Sequence, residues 1–167
     1  MTASIRIGIS GHQSRPGIDW TWTAARIRDV LTQRGPVSRA FTSLAAGSDQ
    51  VFAREALALR IPVTAVIPIA DYERCFNDAD LAAYYELLSR CELVKLEGTG
   101  TDKEAFFAAG QTVADSCDLL IAVWDSKPAA GLGGTADIVA YCLNRARSVL
   151  HIDPIALTMR MLPGEQD

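Results

Sequence analysis

Short runs of β-branched and apolar residues alternate with stretches of helical periodicity along the whole chain, and that alternation leaves few folds open. Ile5–Ser10, Arg39–Leu44, Pro62–Ile69, Glu92–Glu97, Asp118–Asp125 and Ser148–Ile152 read as strands. Between the first two, Asp19 caps a helix with the stripe Trp20, Ala24, Ile27 and Leu31, ended by Gly35-Pro36. Ser48 caps the next helix, which buries Phe52, Ala56 and Leu59. Asp78–Ser89 places Leu81, Tyr85 and Leu88 on one side, and Lys103–Ser116 packs Phe106, Gly110, Val113 and then Cys117. Thr135–Arg147 carries Ala136, Val139, Ala140 and Leu143, with Arg145 and Arg147 in its last turn. Strands separated by helices at this spacing imply right-handed crossovers and a doubly wound, mostly parallel α/β sheet. The tail, 154–167, is expected to add a short edge strand, giving about six to seven in all.

At 167 residues the chain has about the length of one domain, and the reading assigns 1–167 to a single one. Hydrophobic residues make up 49% and charged residues 22%, which excludes a disordered chain. A net charge of -4 argues against strong nucleic-acid binding and against an anionic membrane surface. The longest strongly apolar run, Leu119–Trp124, is far below the roughly 20 residues of a membrane helix. Met1–Ser10 lacks a signal peptide's apolar block, so the expected location is the cytoplasm. Cys75, Cys91, Cys117 and Cys142 are far apart, and His12 and His151 lie near opposite ends, so neither a metal nor a disulfide framework is expected.

In an open α/β sheet the ligand sits beyond the carboxyl ends of the strands, where strand order reverses. That point falls between Ile5–Ser10 and Leu119–Trp124. The strand ends there carry Ser10-Gly11-His12, Ala46-Gly47-Ser48-Asp49, Pro68, and Trp124-Asp125 with the loop to Thr135. Gly131, Gly133 and Gly134 let backbone amides approach a phosphate at the start of a helix, and the Thr135 hydroxyl could cap the helix or touch the phosphate. Asp49 could bind ribose or brace a loop, and Asp125, at the end of the most apolar strand, needs a partner. Trp124 could stack on a base or pack in the core, Lys127 and Arg15 could close on a phosphate, and Asp137 could serve the helix dipole or a ribose. His12 stands at the reversal as a phosphate contact or acid.

The stretches Gly8–His12, Leu44–Asp49, and above all Ala122–Pro128 with Gly131–Asp137 resemble the SLOG superfamily, over roughly Ile5–Ile152. That superfamily unites Rossmann-like, three-layer proteins related to the lonely-guy enzymes, DNA-processing protein A and molybdenum-cofactor carriers. The resemblance implies binding of a nucleotide or nucleotide-derived ligand, in some members an ADP-ribose-type signal, and homo-oligomers. The lonely-guy branch hydrolyses nucleoside 5′-monophosphates with a glutamate three residues after its threonine. Here that position holds Ile138, with Asp137 one residue earlier. The expectation is a sensor or carrier without cofactor or catalysis. The alternative is a phosphoribohydrolase using Asp137 or Asp125.

Overall fold

The computed structural model describes residues 3–128 and 134–163. Gly131, Leu132 and Gly133 of the expected phosphate loop lie outside the described residues. The elements run β1 Ile5–Gly11, α1 Trp20–Gln33, β2 Val37–Thr42, α2 Ser48–Ala58, β3 Val63–Ile67, a 3-10 turn Tyr72–Cys75 and α3 Asp78–Leu88. They continue β4 Glu92–Lys95, α4 Asp102–Ser116, β5 Leu119–Val123, α5 Thr135–Asn144, β6 Ser148–Asp153 and β7 Thr158–Leu162. The sheet order is β4-β3-β2-β1-β5-β6-β7. All pairings are parallel except β6 with β7, which is antiparallel, so the tail does supply an edge strand. Order reverses between β1 and β5, as the alternation predicts.

The pleat sorts the core into two layers. Ile7, Ile9, Leu119 and Ile121 point to one face, against Ile27 and Val30 of α1 and Phe52 of α2. Leu120 and Ala122 point to the other, against Val113 of α4 and Ile138 and Val139 of α5. β3 and β5 are buried at every position, as strands covered on both faces should be.

Several boundaries and stripes differ from expectation for local reasons. β2 stops at Thr42 because Leu44 adopts φ 56°, outside the strand region. Ser48 does not cap α2: the cap position is Gly47, and the Ser48 hydroxyl donates instead to the His12 carbonyl at 2.7 Å. In α3 the buried residues are Tyr84 and Leu87, while Tyr85 is exposed, because Tyr84 stacks on Phe76 at 4.6 Å. In α5 the buried residues are Thr135, Ile138, Val139 and Cys142, and Ala140 faces solvent. That helix ends at Asn144, since Ala146 takes φ 53° and turns its N–H back to Leu143 at 3.1 Å; Arg145 is the cap and Arg147 lies beyond it.

Candidate ligand-binding site

Beyond the carboxyl ends of β1, β2 and β3 lies a cavity of about 270 Å³. That is just below the usual range for small-molecule sites, roughly 300–1,000 Å³. Its floor is Ile9 with Gly110 and Ile138, where α4 and α5 cross. Ser10, Gly11, His12, Ala46 and Asp49 line one side, and Gly134 and Thr135 bring the start of α5 to it. Of the strand-end and loop residues named from sequence, these seven and Pro68 are gathered around one space. Gly47, Ser48, Trp124, Asp125, Lys127 and Asp137 do not line it.

Those others build the rim. Gly47 adopts φ 78°, ψ -120°, and passes so close to Gln13 that a side chain would run into the Gln13 backbone. Ser48 donates from its N–H at 3.1 Å and from its hydroxyl at 2.7 Å to the His12 carbonyl, and the His12 N–H donates to the Val123 carbonyl at 3.0 Å. The loop after β1 is thus tied both to α2 and to β5. Trp124 is half-buried, its indole N–H donating to the Lys127 carbonyl at 2.8 Å and its ring 5.2 Å from that of His151. His151 is buried and its Nε2 donates to the Trp124 carbonyl at 2.8 Å. Trp124 thereby helps to anchor the 125–128 loop.

Asp125 finds the partner its position demands. Its side chain is 5% exposed, Oδ1 accepts the Lys127 N–H at 3.1 Å and lies 3.1 Å from His12 Nε2, and Oδ2 is 3.8 Å from Arg15 Nη1. Burial pushes this carboxyl up, but the Lys127 bond, the His12 bond and the His12 and Arg15 charges together outweigh it and hold the carboxyl below the ordinary carboxylate range. Asp49 is the opposite case. It accepts from the Ser43 N–H at 3.0 Å and the Thr42 hydroxyl at 3.1 Å, which braces the turn after β2, yet burial prevails and pushes its carboxyl up to about 6.

The aromatic side of the cavity escapes a reading of local patterns. Tyr72 and Phe76, in and after the 3-10 turn, and Phe106 on α4 all line it, their rings 5.0 Å and 6.1 Å from centre to centre around Tyr72. The signal available in the sequence was aromatic residues clustered just after the third strand, on the edge already assigned to ligand. Among the described residues no group of three His, Cys, Asp or Glu could hold a metal ion, and no helix is long and apolar enough to cross a membrane.

No protein-family model and no curated protein matches the sequence. Solved structures do. DNA processing protein A from Streptococcus pneumoniae aligns with TM-score 0.66 at 17% identity, over 90% of this chain and 50% of that one. The Helicobacter pylori protein of that name, in a structure concerned with its single-stranded DNA binding mode, gives TM-score 0.64 at 16% identity, over 89% of this chain and 65% of that one. The Chlamydomonas reinhardtii molybdenum cofactor carrier protein gives 0.54 at 17%, over 89% and 76%. This chain thus spans half the length of the Streptococcus protein and about two thirds of the Helicobacter one. The expectation that a net charge of -4 argues against strong nucleic-acid binding is corrected by these likenesses, because the Helicobacter protein with this fold binds single-stranded DNA. Charge summed over a whole chain says little about the field at one sheet edge. The fold is the one that the SLOG resemblance predicts, shared with DNA processing protein A and with the molybdenum cofactor carrier proteins.

Proposed function

We propose that the cavity binds a nucleotide or nucleotide-derived ligand and that the protein acts as a sensor or carrier of it. The observation that carries this reading is a cavity with two unlike ends at the strand reversal. Tyr72, Phe76 and Phe106 offer apolar ring surface for a planar heterocycle, and Gly134-Thr135 opens a helix whose first amides and dipole favour an anion. The molybdenum cofactor carriers of the same fold support a carrier role, since they hold a small cofactor.

The alternative, hydrolysis of a nucleoside monophosphate, needs a carboxylate free to face the anomeric carbon. Asp125 is held by His12 and Arg15 away from the cavity lining, Asp137 does not line the cavity either, and Asp49 is engaged with Ser43 and Thr42. That arrangement supports the reading of binding without turnover.

Saturation-transfer proton NMR with AMP, GMP, NAD, ADP-ribose, its cyclic isomers and a short single-stranded oligonucleotide tests the reading. The expected result is transfer to a mononucleotide or ADP-ribose-type ligand whose spectrum stays unchanged with time. Free base and ribose 5-phosphate growing in would replace the carrier with the hydrolase, and transfer to the oligonucleotide alone would replace the small ligand with DNA. Stacking of a base on an aromatic side chain is worth about 1–3 kcal/mol. Phe106→Ala is therefore expected to weaken binding about tenfold or more, and Thr135→Val to weaken it by removing the hydroxyl at the helix start. Unchanged affinity in Phe106→Ala would place the ring elsewhere.

A further inference from the structure

Tyr72 opens the 3-10 turn, and three aromatic neighbours enclose its ring. Phe76 and Tyr84 meet it at 75° and 89°, with centroids 5.0 and 5.6 Å away, and Phe106 lies tilted at 6.1 Å. Arg74 ties the turn to α4: its Nε donates to Asp71 at 2.8 Å, and its Nη2 to the two oxygens of Asp102 at 2.8 and 2.7 Å. The residue is 5% exposed. A tyrosine so placed is an apolar body with one polar atom, and a buried tyrosine hydroxyl usually finds a hydrogen-bond partner.

Among the described residues this hydroxyl has none. Nor is it sealed away, since among those residues Arg26 Nε is the buried side-chain nitrogen or oxygen closed off without a partner. The hydroxyl therefore has open space before it. Tyr72 lines the cavity beyond β1, β2 and β3, and not the hollow of about 260 Å³ beside α3 and β4, so that space is the cavity. Burial, and then the charge of nearby Asp49, hold the phenol well above its ordinary pKa, so at neutral pH it is an O–H able to donate and to accept.

We propose that the Tyr72 hydroxyl reads the polar edge of the ligand's ring, so that the cavity selects a nucleobase over an apolar ring of the same shape. The inference deepens the nucleotide reading and rests on it. Phe106 offers surface to the face of the heterocycle, and Tyr72 meets the hydrogen-bonding atoms on its edge. A site built around such a bond rejects a ligand that lacks the matching group, because the buried hydroxyl is then left unpaired.

Calorimetry on the unaltered protein and on Tyr72→Phe, with AMP, GMP and benzimidazole riboside 5′-monophosphate, tests this. The last compound keeps a purine nucleotide's shape, sugar and phosphate but has no polar atom on its six-membered ring. The unaltered protein is expected to bind the better of AMP and GMP about tenfold more tightly than the benzimidazole compound. Tyr72→Phe is expected to lose about fivefold in affinity for that nucleotide and nothing for the benzimidazole compound. Equal losses for the two compounds, or no loss for either, overturn the inference. Urea unfolding without ligand gives a second readout. The midpoint of Tyr72→Phe is expected to be no lower than that of the unaltered protein, since no bond within the protein is removed. A lower midpoint would show that the hydroxyl is bonded internally, and overturns the inference whatever binds. If neither protein binds any of the three compounds, the nucleotide reading falls and this one with it; equal affinities of the two proteins for a nucleotide that does bind overturn this one alone.

Discussion

Replacing Gly47 with alanine is expected to destabilise the protein by about 4 kcal/mol, a large share of the 5–15 kcal/mol that holds a typical domain together. Two causes add at this position. The backbone stands at φ 78°, ψ -120°, a region closed to residues with a Cβ, and forcing one in costs about 1–3 kcal/mol. The new methyl would also meet the carbonyl oxygen, carbonyl carbon and Cα of Gln13, which are backbone atoms and cannot swing aside. The loop after β1 would have to lift, breaking the pair of bonds from Ser48 to the His12 carbonyl and disturbing the cavity wall. Gly17→Ala is the matched control: its φ is 91°, but a Cβ there meets only Ile155 Cγ2 at an ordinary 3.7 Å. Urea unfolding should give a midpoint about 2 M lower for Gly47→Ala at unchanged slope, and a shift at most half as large for Gly17→Ala. Equal shifts in the two variants would mean that backbone strain alone matters and that the Gln13 contact yields freely.

Gly47 also illustrates what the sequence discloses. Its place in a turn on the ligand edge was legible, because strand–helix alternation fixes which loops share that edge. Its purpose was not, since a glycine that admits a phosphate and a glycine that admits a neighbouring loop look alike in one dimension. The same holds for Ser48, a good helix cap by type that instead holds the His12 carbonyl. The sheet order and the reversal between β1 and β5 followed from the alternation and the handedness of crossovers, which depend on few local details. The link from His12 to Asp125 joins residues 113 positions apart, and no periodicity carries such a pairing. Trp124 looked equally suited to a base and to the core; its indole bond to the Lys127 carbonyl and the His151 ring beside it come from residues that no local pattern links. The aromatic wall was missed because Tyr72 and Phe76 belong to a 3-10 turn too short to show a stripe, and Phe106 joins them only through the packing of α4.

Asp49 should make the folded state lose stability as pH rises from about 4 to 7, the reverse of the usual carboxylate. The residue is 6% exposed, and removal from water opposes its ionisation more than the bonds from Ser43, Thr42 and Ala45 favour it. Its carboxyl is pushed up to about 6 in the folded protein, against about 3.9 in an unfolded chain. Between those values the folded state keeps a proton that the unfolded state has released. The contribution is therefore fully present below about pH 4 and lost as pH rises through about 6, a difference of about 3 kcal/mol. Asp49→Asn carries no charge at any pH, so its stability relative to the unaltered protein should rise by about that amount across the window, whatever constant cost the amide's altered hydrogen bonding adds. Chemical denaturation of both proteins in parallel near pH 4.5 and pH 7.5 reads the difference directly, with all other titrating groups common to both. Parallel profiles would show that the three donors compensate burial in full, and divergence of opposite sign would show that they exceed it. The sign matters for the cavity as well. A carboxyl that is largely neutral below pH 6 and charged above it lines the space where an anion is proposed to sit, so its ionisation weakens anion binding as pH rises.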